Sequence, residues 1–148
     1  MSVPIEQTKT VLMCYPELVS TSAAWSTNVG IDTKGYSHLR VLLTVGATDK
    51  ATSAAPALAE STALAGTYTA ITSPVTAALS AAIGATDDGN VYSIDVDLTQ
   101  DRERYIKCLV TCAASSSAGT NLAIIGILSK PNFGTVDTDA GLEELISA

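Results

Sequence analysis

Apolar and polar positions alternate with period two along much of the chain, the spacing that sets one face of a strand against a core and the other toward water. In the segment GYSHLRVLLTVG, Leu39, Val41, Leu43 and Val45 form one face. Tyr36, His38, Arg40 and Thr44 form the other, interrupted by Leu42. VYSIDVDLT reads Tyr92, Ile94, Val96 and Leu98 against Ser93, Asp95 and Asp97. RYIKCLVTC sets Ile106, Cys108, Val110 and Cys112 opposite Tyr105, Lys107, Leu109 and Thr111. NLAIIGIL is apolar on both faces, which suits a central strand of a two-layer core. Shorter candidates are TVLMCY, ALAES, TYTAIT and STNVGID. Seven or eight strands at this spacing predict an all-β fold, an antiparallel β-sandwich.

Turn chemistry falls between these runs. Asp87 to Asn90 (DDGN) contains the Asp-Gly pair that tolerates positive φ. Thr99 to Glu103 reads as a polar hairpin loop joining two strands, Ala114 to Thr120 as a flexible loop, and Thr48 to Ala57 as a surface loop. SPVTAALSAAIGA fits a short helix with Pro74 near its start, and equally an irregular loop or strand, because its apolar positions make no wide stripe. Asp139 is placed to cap a short terminal GLEELISA helix. The reading is one domain over residues 1–148 with extended termini: an N-terminal arm at 1–10 and a docking tail at 137–148.

The 148 residues suffice for a real core, since a chain of this size buries roughly 68–70% of its unfolded surface. The net charge of −7, with basic residues gathered only at Arg102, Arg104 and Lys107, argues against phosphate neutralisation and hence against nucleic acid as a partner. The first ten residues have no basic and apolar leader pattern, and the run Leu122 to Leu128 is far short of the ~20 residues a membrane helix needs. The expectation is a soluble protein made in the cytoplasm, with no membrane partner.

The candidate chemistry is sparse. Asp95 and Asp97 lie on one strand face about 7 Å apart, a spacing compatible with acid/base work. Strict alternation also makes them the wet face of a strand, with Lys107, Arg104 or Arg102 across the hairpin as partners. Asp87, Asp88 and Asp95 supply oxygens for a hard cation such as calcium but lack the full loop pattern of such sites. Cys108 and Cys112 would stand about 13 Å apart on one strand, too far for a disulfide. Together with Cys14 and the single His38 they make a poor zinc set, and buried free thiols are the expectation. His38 has no nucleophile motif beside it, and no phosphate-binding glycine loop occurs. The residues therefore predict no enzyme, no catalytic, cofactor-binding or metal residues, and no cofactor.

Four stretches taken together, Gly30 to Ala47, Leu58 to Thr72, Val91 to Leu128 and the closing KPNFGTV, carry a resemblance. Their order is an Asp-Thr-x-Gly-Tyr turn into a strand, a Leu-x-Glu-Ser segment, an Arg-Tyr-Ile-Lys strand and an apolar strand ending in Pro. The chain resembles the capsid decoration (cement) proteins of tailed bacteriophages. That resemblance implies a sandwich of jelly-roll type on the outer surface of the virion head. It also implies the major capsid protein as partner, assembly as a homo-oligomer, most often a trimer, and no catalytic residues.

Overall fold

The computed structural model describes residues 8–19, 24–26, 30–48, 51–111 and 119–131. Among them the chain forms nine strands: β1 (Thr8–Val19), β2 (Ala24–Ser26), β3 (Ile31–Asp32), β4 (Tyr36–Thr48), β5 (Ala57–Ser61), β6 (Thr69–Ala70), β7 (Val91–Asp97), β8 (Tyr105–Thr111) and β9 (Thr120–Pro131). They make two antiparallel sheets. The first has the order β1-β9-β4-β7; in the second, β2-β8-β5-β6, the short β3 pairs with β8 beside β2.

The pairings are nested. β5 pairs with β6, β4 with β7, β2 and β3 with β8, and β1 with β9, so the chain behaves as one long hairpin closed at β5–β6 and rolled into two layers. The expected hairpin between the strands at Val91 and Tyr105 is therefore corrected. β7 and β8 lie in different sheets, and Thr99 to Glu103 crosses from one layer to the other. A period-two pattern sets which face of a strand is buried but not its neighbour, and β7 finds its partner in the long, regular β4.

The core lies between the layers. Leu39, Val41, Leu43 and Val45 of β4, Ile94 and Val96 of β7, and Ile106, Cys108 and Val110 of β8 are all buried, as their alternation predicts. β9 occupies the interior of the first sheet between β1 and β4, and Leu122, Ile124 and Leu128 bury its inner face. Gly126 belongs to that inner row. A Cβ there would collide with the Ile31 side chain and meet Met13 Sδ at 3.3 Å, so the missing side chain lets the second sheet close on β9.

SPVTAALSAAIGA takes the irregular alternative and not the helical one, with a single isolated bridge to β5. It straps the edge of β5: Leu58 N–H donates to Ala77 C=O at 2.7 Å and Leu79 N–H to Pro56 C=O at 2.9 Å. Ala77 and Ile83 turn into the core. Two buried anchors six residues apart do not make a helical stripe, and the start of β5, which the two-residue β6 leaves uncovered, offers hydrogen bonding that an Ala-rich helix would not gain alone. The segment expected to be a surface loop from Thr48 is also partly internal, since Thr52 is buried and exchanges bonds with Ile83. The DDGN turn forms as expected, with Gly89 at φ 78°.

Of the proposed N-terminal arm, Thr8 to Thr10 belong to β1 and pair with Ser129 to Ile127, so those three residues are sheet and not arm. The rest of the arm, the tail 137–148 with its Asp139 cap, Cys112 and most of the Ala114 to Thr120 loop lie outside the described residues.

Candidate functional site

The outer face of the first sheet carries the molecule's most distinctive surface, and strand register places each residue on it. One half is charged: Arg40 stands opposite Asp95, and His38 opposite both Asp97 and Ser129. Arg40 Nε–H donates to Asp95 Oδ1 at 2.8 Å, and His38 Nε2 lies 3.1 Å from the same oxygen. The other His38 ring nitrogen lies 3.2 Å from Ser129 Oγ. Asp97 instead closes the turn that follows it, accepting from Thr99 N–H at 2.9 Å and Thr99 Oγ at 2.6 Å. These bonds, the Thr99 hydroxyl first, hold its carboxyl below the usual carboxylate range.

The two aspartates are thus engaged separately, one in a cross-strand ion pair and one in a turn. This corrects the expected partners. Arg104 makes a two-pronged pair with Asp32 (2.8 and 2.6 Å), Lys107 sits over the Tyr68 ring, and Arg102 approaches Glu60 at 3.8 Å. None of the three pairs with Asp95 or Asp97, because the segment from Arg102 leads into β8 of the second sheet; Arg102 lines a cleft beside the two aspartates but its ion-pair partner is Glu60.

The other half of this face is apolar. Leu12, Ile125 and Leu42 form one row across β1, β9 and β4, and Ala123, Thr44 and Val91 form the next across β9, β4 and β7. Leu12 and Tyr15 are each 56% exposed, Val91 62% and Leu18 49%. Aliphatic side chains scattered singly on a surface mean little, but Leu12, Ile125 and Leu42 are direct cross-strand neighbours with Val91 one row on, and such a cluster marks a contact surface. The sequence pattern held two signs of it. Leu42 breaks the alternation of β4, and β9 is apolar on both faces. In a two-layer sandwich a strand has only one core face, so the second apolar face of β9 had to look outward.

The proposed cation set is not brought together. Asp87 Oδ2 accepts from Gly84 N–H and Tyr92 O–H, and Asp88 Oδ1 accepts from Thr48 N–H, so both fasten the turn. Asp95 stands opposite Arg40, eight residues along β4 from the Thr48 that Asp88 holds, roughly 25 Å away at strand rise. Among the described residues no group of three His, Cys, Asp or Glu side chains is placed to hold a metal ion. Cys14 and Cys108 are buried free thiols. Burial pushes the first up to about 11 and the second to about 12.

On the outer face of the second sheet, Lys107 lies 4.7 Å from the Tyr68 ring centre and Arg104 5.1 Å from that of Tyr105. Each cation occupies a ring face that sugar stacking would need. Among the described residues no helix is long and apolar enough to cross a membrane. Compared with protein-family models and with curated proteins, the chain matches none.

Proposed function

We propose that this chain is a non-enzymatic structural protein of a tailed-phage virion, a capsid decoration or cement protein. In this reading it binds the major capsid protein on the outer surface of the head, as a homo-oligomer and most often a trimer, and braces the shell against internal pressure. The observation that carries the proposal is the apolar half of the outer sheet face: exposed aliphatic side chains on paired strands of an acidic sandwich. Such a surface suits docking onto a protein lattice, where many modest contacts repeated by symmetry add up.

The nested strand order supports reading the sandwich as a jelly roll, the winding the resemblance implies. Net charge of −7 keeps free copies soluble and apart until they meet the lattice. In the charged half of the face Arg40 offsets Asp95, while the Asp97 carboxylate is held in the following turn by Thr99.

Quantitative mass spectrometry of purified virions tests the proposal. Decoration requires a copy number comparable to that of the capsid subunit. A handful of copies per particle would place the chain in the tail or connector instead. Retention on host surface polysaccharide with none on capsids would make it a receptor- or glycan-binding module.

A further inference from the structure

We infer that the free edge of β7 accepts an extended polypeptide strand that carries a carboxylate opposite Arg102. The inference rests on edge geometry and holds whether or not the chain decorates a capsid.

The ladder between β4 and β7 shows which main-chain groups are spoken for. Leu98 N–H donates to Ser37 C=O and Val45 N–H to Asn90 C=O, both at 2.9 Å. In an antiparallel ladder alternate residues bond to the same neighbour, so Asn90, Tyr92, Ile94, Val96 and Leu98 face β4. The N–H and C=O groups of Val91, Ser93, Asp95 and Asp97 therefore point away from the sheet, and among the described residues β7 pairs with β4 alone.

The other edges are blunted. β1 is broken by two register shifts and contains Pro16, β6 has two residues, and β2 and β3 have three and two. β7 runs seven residues in unbroken register, about 23 Å of template.

Beside this edge lies a cleft of about 340 Å³, bounded by Pro74 to Ala77 on one side and Asp95 to Asp97 on the other, with Arg102 in its lining. The Arg102 side chain is only 9% exposed, and its Nε–H is buried without an acceptor. Glu60, at 3.8 Å, is too distant for a hydrogen bond. A buried guanidinium left so incompletely bonded is costly, and a carboxylate is the acceptor that matches its fork.

The nearby acids Asp95 and Asp97 are already engaged and lack no partner. They do bear on self-association, because two β7 edges pairing with each other would set these carboxylates against their copies. The occupant is thus a strand of a different sequence, held by main-chain bonds to Ser93, Asp95 and Asp97 and fixed in register by one acidic side chain.

The test uses capped heptapeptides of alternating Thr and Val with one Glu walked through the seven positions, each matched by a Gln control. Amide shifts and hydrogen exchange of the full-length protein are followed by NMR. In at least one register, a Glu peptide is expected to slow exchange at Ser93, Asp95 and Asp97 and to bind at least tenfold tighter than its Gln control. Arg102→Gln should erase that difference. Methylating the peptide nitrogens that face β7 should abolish binding to the unaltered protein, while methylating the alternate nitrogens should not.

The inference fails if millimolar peptide in every register leaves the three amides unprotected, or if Glu and Gln peptides bind alike. It also fails if methylating the nitrogens that face β7 leaves binding intact, or if methylating the alternate nitrogens abolishes it. Acetate alone reproducing the shifts would reduce the site to a small-anion pocket and overturn strand addition.

Discussion

Arg40 and Asp95 stand directly opposite each other on β4 and β7, joined by a 2.8 Å hydrogen bond on the outer face of the sheet. Both side chains are substantially exposed, at 52% and 42%, and exposed pairs of this kind contribute little. Asp95→Asn is expected to lower the urea midpoint by the equivalent of about 1 kcal/mol or less. It should leave association with capsids nearly unchanged, and Asp97→Asn should do the same. A hydrolase using this pair would instead lose an activity in both variants while staying folded, so the two readings separate in one set of assays.

Gly126 permits the close approach of the two layers. Gly126→Ala forces Ile31 and Met13 to shift in a packed interior, an overpacking that costs about 1–3 kcal/mol. Urea unfolding should show a lower midpoint at unchanged slope, whereas a neutral result would mean that the sheets sit further apart at this point.

The acid limb of stability should come from three carboxylates. The Arg104 guanidinium holds Asp32 below the usual carboxylate range, with the Lys34 N–H assisting. The Gly84 N–H and then the Tyr92 hydroxyl lower Asp87, and Thr99 lowers Asp97. A carboxylate depressed in the folded state stabilises the fold above its unfolded value near 3.9, and that contribution is lost as pH falls through the lower folded value. Thermal midpoints should therefore hold down to about pH 5 and fall below pH 4. Asp32→Asn should flatten the slope below pH 4, and an unaltered slope would remove the Arg104 pair from the account.

Cys14 and Cys108 should be inert in the folded protein, because thiols held at about 11 and about 12 carry almost no thiolate at pH 8. Peptide mapping after iodoacetamide treatment should find both unlabelled in native buffer and fully labelled in denaturant. Native labelling of either would place it outside the packed core.

Much of the fold was legible in the sequence because burial follows side-chain alternation. Leu39, Val41 and Leu43, and Ile94 and Val96, occupy the faces their spacing assigns, and the Asp-Gly turn sits where its chemistry demands. Pairing was not legible in the same way. A strand carries no local mark of its neighbour, so the Arg102 to Lys107 charges were set against Asp95 and Asp97 when β7 and β8 in fact belong to different layers. The strap at Ala77 was ambiguous for a related reason: what decides it is the stretch of β5 that β6 leaves uncovered, a distant feature. The apolar outer patch was written in the sequence as Leu42 and the two-sided β9, yet its meaning depends on knowing that only one face of β9 meets the core.

That patch carries the functional proposal, and co-sedimentation with capsids stripped of this protein tests it most directly. Unaltered protein should bind to saturation in a fixed ratio to capsid subunits. The double variant Leu12→Lys, Val91→Lys changes two exposed side chains and should fold normally. Its affinity should fall at least tenfold. Equal binding of the two proteins would contradict docking through this face, and no binding of the unaltered protein would contradict decoration itself.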